Sequence, residues 1–315
     1  MKPEILALVP IYAPTLAELE REYTVHKLWS APEPDALMKR VAGSVRVAVT
    51  TGLAGYTRRH VEALPKLELI ACFGNPHGMA AEDKAAAKAR GVFVTNTPDS
   101  ITMTVADLGM ALVLAVMRRI AEGDRFVRAG KWAAGPLSPG RDIGGKTLGI
   151  VGLGRIGRAI AQRAEAFGMK VIWHGPRAKP DVPWLFHADL REMARNSDCL
   201  LAICPLTPET RGLIGARVLD ALGPDGYLVN VSRGPVVDQA ALIAALKEKR
   251  IAGAALDVFW DEPQVPAELL TMENVVLTPH VGSTVREIRE ERGRKLLANV
   301  RAHFAGQPVL NPITS

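Results

Sequence analysis

The sequence predicts an α/β protein made of two doubly wound parallel-sheet domains, and two observations predict it. In the first hundred residues, five short apolar runs alternate with stretches of helix formers at helical spacing. From residue 146 onward a second series of apolar runs again alternates with helices. Such alternation builds parallel sheets, because a crossover helix returns the chain to the end of the sheet from which the next strand starts.

The first series is EILALV, TVHKLW, VRVAVT, LELIACF and GVFVTN, separated by TLAELERE, PDALMKR, TRRHVEAL and MAAEDKAAAKAR. Gly91 follows the alanine-rich helix, where glycine closes a helix most easily. The next stretch, VADLGMALVLAVM (105–117), is an apolar helix with Asp107 near its start and Arg118-Arg119 at its end. It falls short of the roughly 20 residues a membrane span needs, so it reads as a buried helix. The second series opens with GKTLGIVGLGRIGRAIAQRAEAFGMKVIWHG and continues through DCLLAICP, GYLVNVS, AGAALDVF and NVVLTPH. The last stretch, STVREIREERGRKLLANVRAHFAG, is a charged amphipathic helix without a strand of its own, expected to pack back on the first domain.

Composition narrows the class. With 48% hydrophobic and 23% charged residues the chain lies in the ordinary soluble globular range. The N-terminal apolar run ILALV is too short for a signal-peptide core, so a cytoplasmic protein is expected. Cys72, Cys199 and Cys204 are odd in number and scattered, which fits neither a disulfide framework nor a zinc site. The net charge of +6 is spread along the chain, and no aromatic-rich motif accompanies it, which points away from nucleic acid.

One motif carries a cofactor. In LGIVGLGRIGRAIA, Gly152, Gly154 and Gly157 follow an apolar strand and open a helix in the G-x-G-x-x-G pattern. Gly152 permits the tight turn, Gly154 lets backbone approach a pyrophosphate, and Gly157 lets the helix pack closely. The helix N-terminus then offers N–H donors and a partial positive charge to the phosphates. This is a dinucleotide-binding turn. After the second strand, an acid would bind the ribose 2′-OH, yet the chain reads His174-Gly175-Pro176-Arg177 with no carboxylate before Asp181. A histidine and a guanidinium suit a 2′-phosphate, so NADP is the expected cofactor. The alternative is that Arg177 is a solvated loop residue and NAD binds without an acid.

Ketone reduction needs a proton donor for the forming alkoxide, a cation for the substrate's anionic group and a partner for the donor. VNVSRGPVVD supplies Arg233, LDVFWDEP supplies Asp257 and Glu262, and VVLTPHVGS supplies His280, each at the end of a predicted strand. There the ligands of open α/β sheets collect. Singly, each residue has an equally ordinary reading as a solvated arginine, a surface turn or a structural histidine.

Taken together, GLGRIG, CPLTPETRGLI, VNVSRGPVVDQAALIAAL, ALDVFWDEP and LTPHVGS, in this order and spacing, resemble the D-isomer-specific 2-hydroxyacid dehydrogenase family. The segment VTNTPDSITMTVADLGMALVLAVMRRI also resembles the stretch leading into the helix where these enzymes dimerise. The H-x-x-R after the second strand is similar to that of NADPH-dependent glyoxylate/hydroxypyruvate reductases. The resemblance implies a flavodoxin-like substrate domain (1–98 with 285–315) and an inserted Rossmann cofactor domain (99–284), with substrate in the cleft between them. It implies His280 as general acid, Glu262 as the carboxylate favouring its imidazolium, and Arg233 on the substrate's carboxylate or carbonyl oxygen. It places Asp257 at the nicotinamide carboxamide, the Arg155 and Ile156 backbone at the pyrophosphate, and Cys204, Pro205, Thr210 and Gly282 along the cofactor. No metal is required.

The implied activity is NADPH-dependent reduction of glyoxylate or hydroxypyruvate to the 2-hydroxy acid. Two alternatives stand beside it. One is reduction of larger, aryl 2-oxo acids. The other is a cofactor-sensing module like the C-terminal-binding-protein corepressors, which keep the same Arg, Glu and His but carry a disordered tail not expected here. The chain departs from the family at Gly74-Asn75-Pro76-His77-Gly78, where a short glycine-containing loop normally cradles the substrate carboxylate. Pro76 has no N–H to donate. Either Asn75 or His77 replaces the lost amide, or the loop is shifted and neighbouring amides serve.

Overall fold

The computed structural model describes residues 2–52, 54–74, 80–98 and 101–313. The chain divides into two compact units, Met1–Ser100 with Val285–Ser315 and Ile101–Thr284.

The first unit holds strands β1 (Glu4–Ala7), β2 (Thr24–Lys27), β3 (Val47–Thr51), β4 (Leu69–Phe73) and β5 (Phe93–Thr95). They form one parallel sheet in the order β2-β1-β3-β4-β5, the flavodoxin-like arrangement. Helices α1 (Ala13–Glu22), α2 (Pro34–Val41), α3 (Arg58–Ala63) and α4 (Ala81–Ala89) alternate with the strands. Both sheet faces are buried, which is why the strands read as continuous apolar runs. Leu6, Ala48, Ile70 and Cys72 pack with Leu37, Val61 and Ala87 on one face. Ile5, Val47, Val49, Leu69 and Ala71 turn to the other, where they meet Leu19 of α1.

That second face is completed by the C-terminal helix α12 (Arg286–Phe304) through Leu296, Leu297 and Val300. Each of these side chains contributes about 1.5–3 kcal/mol by leaving water. α12 also lies so close to α1 that a Cβ on Gly293 would come within 2.2 Å of Thr15 Oγ1. Helix α4 ends as the sequence suggests: Gly91 has φ +66°, Gly91 N–H donates to the Lys88 carbonyl and Val92 N–H to that of Ala87. Both orphan carbonyls are satisfied by this cap.

The second unit holds β6 (Thr147–Val151), β7 (Lys170–His174), β8 (Leu185–Phe186), β9 (Cys199–Ala202), β10 (Tyr227–Asn230), β11 (Gly253–Leu256) and β12 (Val275–Leu277). The order is β12-β11-β10-β9-β6-β7-β8, all parallel. This is the Rossmann arrangement with one further strand, its switch point between β6 and β9. Helices α5 (Ile101–Met117) and α7 (Arg155–Ala166) cover one face, α8 (Leu190–Arg195), α9 (Ala216–Leu222) and α10 (Gln239–Lys247) the other. Two short helices, α6 (Ile120–Arg128) and α11 (Ala267–Leu270), complete the unit. The two-residue strand β8 was not foreseen, because it is too short to show any alternation.

The apolar 105–117 stretch lies within α5, which buries Ala106, Met110, Val113 and Met117 on the sheet. Gly109 lets α7 approach, since a Cβ there would sit 3.1 Å from Ile160 Cδ1. α6 leaves α5 at a 59° bend, and no single helix among the described residues is long and apolar enough to cross a membrane. All three cysteines are free and buried.

Tyr56 is 2% exposed and its hydroxyl has no hydrogen-bond partner among the described residues, while burial pushes its pKa to about 12. A buried hydroxyl without a partner costs stability. Tyr56→Phe should therefore leave urea-unfolding stability unchanged or raise it by up to about 1 kcal/mol. A loss larger than that would show that the hydroxyl is bonded.

Candidate active site

Because every strand of the second unit is parallel, all their C-terminal ends lie along one edge of the sheet. The glycine turn follows β6, His174 ends β7, Cys204 follows β9, Arg233 follows β10, Asp257 follows β11 and His280 follows β12. One topological constraint thus delivers residues from Gly152 to His280 to the same rim.

The three glycines differ in what requires them. Gly152 has φ +103°, and a Cβ there would lie 2.8 Å from the Cys204 backbone. A Cβ on Gly157 would come 2.3 Å from the Gly152 carbonyl oxygen, so the turn and α7 fit only without one. At Gly154, which is exposed, a Cβ would meet nothing within 4 Å. The chain itself does not require glycine there, whereas a group approaching from outside would. No side chain caps α7, so the N–H groups of its first turn, at Arg155 and Ile156, remain available to an anion. The turn fits a dinucleotide pyrophosphate.

The segment after β7 is tied back to this turn. Gly152 N–H donates to the His174 carbonyl (2.9 Å), and the Lys179 ammonium donates to the Leu153 carbonyl (2.6 Å) while lying 6.0 Å from the Trp173 ring centroid. His174 Nδ1 is 2.9 Å from the His187 carbonyl, which can only accept, so Nδ1 carries the proton and Nε2 is left for a ligand. Arg177 is exposed and makes no ion pair or hydrogen bond among the described residues. Asp181, the first carboxylate after the strand, is held by Arg158 at 2.7 Å, and this hydrogen bond keeps its carboxyl below the usual range. Reading the sequence for an acid at the strand end missed Lys179, although it stands two residues beyond Arg177.

Cys204 is buried against Gly152, and burial pushes its thiol to about 11, so it is a neutral wall of the turn. Thr210 has its hydroxyl engaged within the same loop, donating to the Pro205 carbonyl and accepting from Thr207 N–H, both at 2.7 Å. It shapes the loop around Pro205.

The contact between the histidine and the carboxylate is direct. His280 Nδ1 lies 2.7 Å from Glu262 Oε2, each side chain about a third exposed. Glu262 Oε1 accepts from Phe259 N–H at 3.0 Å, so the carboxylate is oriented from its own loop. Asp257 is 2% exposed and fixes the histidine loop: its Oδ1 accepts from Thr278 Oγ1 (2.6 Å) and Val281 N–H (2.9 Å), its Oδ2 from Gly282 N–H (3.0 Å). Its carbonyl also accepts from His280 N–H at 2.9 Å. These bonds hold His280 at φ +52°, a conformation that costs a non-glycine residue about 1–2 kcal/mol.

Arg233 is exposed at the end of a turn shaped by Asn230, whose side chain donates to the Arg233 carbonyl and accepts from both Ser232 N–H and Oγ–H. In the first unit, Gly74 has φ +104°, and its N–H is committed to Thr97 Oγ1 at 2.7 Å, so it is not a free donor. Asn75 and His77 lie outside the described residues. Among the described residues, no group of three or more His, Cys, Asp or Glu is arranged to hold a metal.

A family model described as the NAD binding domain of D-isomer specific 2-hydroxyacid dehydrogenase matches residues 110–282. The glyoxylate/hydroxypyruvate reductase A of Arabidopsis thaliana is 43% identical over 309 residues, 98% of each chain. The hydroxyphenylpyruvate reductase of Plectranthus scutellarioides is 42% identical, again over 98% of each. Among solved structures, the NADPH-dependent glyoxylate/hydroxypyruvate reductase of Sinorhizobium meliloti, in complex with NADP and malonate, has a TM-score of 0.81 at 37% identity, covering 99% of this chain and 97% of that one.

Gly157→Ala forces a clash of backbone with backbone that no rotamer relieves. We expect it to cost on the order of 1–3 kcal/mol in thermal unfolding and to weaken dinucleotide binding at least about tenfold in fluorescence titration. Binding like that of the parent would show that this contact does not shape the turn.

Proposed function

The chain belongs to the D-isomer-specific 2-hydroxyacid dehydrogenase family, and from that premise we propose that it reduces small 2-oxo acids with NADPH, glyoxylate and hydroxypyruvate first. The observation that carries the reading is the 2.7 Å pair of His280 and Glu262 on the rim that also bears the glycine turn. When bound there, the nicotinamide supplies hydride to the carbonyl carbon. His280 gives its Nε2 proton to the carbonyl oxygen, and Glu262 at Nδ1 holds the ring in the orientation that does so. Arg233 holds the substrate carboxylate or the developing alkoxide with its fork of donors. Where the product is chiral, it is the D-2-hydroxy acid.

On the cofactor side, the amides of Arg155 and Ile156 take the pyrophosphate, with Gly152, Gly154 and Gly157 giving it room. Arg177 and the free face of His174 take the 2′-phosphate, and the commitment of Asp181 to Arg158 removes the nearest opposing carboxylate. Asp257 keeps an acceptor site for the nicotinamide carboxamide, while Cys204, Pro205, Thr210 and Gly282 flank the cofactor. NAD would bind more weakly. The first unit, 1–98 with 285–315, is the substrate domain in this proposal and 99–284 the cofactor domain, with Asn75 or His77 tuning substrate choice.

The protein is proposed to act as a homodimer in the cytoplasm. α5 buries Val105, Ala106, Met110 and Val113 within its own unit but leaves Met103 53% exposed, and Ile120, Val127 and Trp132 just beyond it are 56%, 55% and 68% exposed. The 105–117 helix, which resembles the family's dimer segment, is the proposed contact, and these exposed apolar residues would extend it onto α6 and the turn after it. A second reading, reduction of aryl 2-oxo acids, rests on the likeness to the hydroxyphenylpyruvate reductase. A panel of glyoxylate, hydroxypyruvate and hydroxyphenylpyruvate, each assayed with NADPH and NADH, tests the proposal. Turnover of the small acids with NADPH supports it; preference for the aryl acid selects the second reading, and no turnover of any acid overturns both.

His280→Asn should lower kcat at least about a hundredfold and leave the NADPH dissociation constant within about twofold, since a positioned proton donor contributes that much. A near-parental rate would remove His280 from the mechanism. Glu262→Gln should lower kcat at least about tenfold with the NADPH dissociation constant unchanged, because the ring loses the carboxylate that orients it; a parental kcat would sink that role.

Arg177→Gln should weaken NADPH binding at least about tenfold and NADH binding little, since only NADPH carries a 2′-phosphate to lose. Equal losses for the two cofactors, or a parent that already prefers NADH, would contradict the assignment.

A further inference from the structure

We propose that Trp260 is a positioning residue that clasps the turn carrying Arg233 to the loop carrying Glu262. The proposal rests on the roles given above to these two residues. Trp260 Nε1–H donates to the Val237 carbonyl at 2.7 Å, across 23 residues of sequence. Val237 is buried, so its carbonyl has little access to water as a substitute acceptor. The second tie is steric. A Cβ on Gly234, the residue after Arg233, would come within 2.1 Å of the Phe259 carbonyl carbon and oxygen and 2.6 Å of Trp260 N. The Arg233 turn therefore lies directly on the backbone of the 257–262 loop, and the indole bond closes the far end of that contact.

The two ends of this assembly have different supports. Glu262 is held by Phe259 N–H and by His280, neither of which involves the indole. Arg233 is an exposed side chain whose Nη1 donates to the Ser232 carbonyl at 2.7 Å, and its own carbonyl accepts from the Asn230 amide and from Val236 N–H. Gly212 N–H and Ile214 N–H donate to the Pro235 and Val236 carbonyls, whereas the Val237 carbonyl is taken by the indole. Loss of the indole bond should thus release the Val237 carbonyl, loosen the turn where it lies on the 257–262 loop and shift Arg233, while leaving the His280–Glu262 pair in place. The consequence falls on substrate binding, because Arg233 acts on the substrate and His280 on the proton.

The test is Trp260→Phe in the full-length enzyme, which keeps a ring for packing and removes the N–H. With NADPH and glyoxylate, the KM for glyoxylate should rise at least about fivefold, with the pH profile and the NADPH dissociation constant unchanged. In an Arg233→Lys background the same substitution should raise KM by less than about twofold, since the residue through which it acts is already altered. A purely structural role would lower the melting temperature and leave KM and this coupling unmoved. A parental KM for Trp260→Phe, or an equal rise in both backgrounds, overturns the proposal. Amide hydrogen exchange over residues 233–237 gives an independent readout that needs no turnover. Exchange should quicken there in Trp260→Phe, and unchanged exchange overturns the clasp even if the parent proves inactive towards 2-oxo acids. Inactivity of the parent with quickened exchange instead leaves the clasp standing and refutes the functional reading.

Discussion

The buried carboxylate of Asp257 is the constraint on which the chemistry of this rim depends. A carboxylate at 2% exposure must be compensated by donors, and it takes three, all from residues 278–282. Satisfying it winds the chain after β12 into a turn that a non-glycine residue enters only at a cost. His280 is the residue placed there. Asp257 itself follows β11, so the position of His280 is referred directly to the parallel sheet. Glu262, five residues further along the same loop, then meets the imidazole without any contribution from the other strands.

The glycine turn shows the same dependence of site on sheet. Gly152 and Gly157 are required by contacts inside the unit, with Cys204 and with each other, while the exposed Gly154 has no internal reason to be glycine. The steric demands that build the turn are separate from the one that leaves it accessible. Lys179 and the Gly152–His174 bond attach the segment after β7 to the same turn. The charge that would choose between two dinucleotides is therefore carried on a short, anchored segment.

Features set by local sterics or by periodicity were legible in the sequence. The glycine spacing, the Gly91 cap, the alternating strands of both sheets and the buried 105–117 helix all follow from neighbouring residues. The pairing of His280 with Glu262 was not legible from the residues alone, since 18 positions separate them and only the family resemblance joined them. Bonds from a side chain to a distant carbonyl left no pattern to read, which is why Lys179 on Leu153, Trp260 on Val237 and the Thr210 bonds within its loop appear only in the structure. The same holds for Gly74, whose amide donates to the Thr97 hydroxyl across 23 residues. The strand β8 is too short to carry a signal.

Asp257→Asn tests the central claim most directly, because it keeps the volume and one acceptor oxygen while setting an NH2 group against donors. The measurement is the single-turnover rate of NADPH oxidation with saturating glyoxylate. The account predicts a rate at least about tenfold below the parent and, in the cofactor-free protein, faster amide exchange over residues 278–282, because His280 is no longer held in place. A parental rate with a normally folded variant would contradict it, showing that the histidine loop keeps its shape without the buried carboxylate.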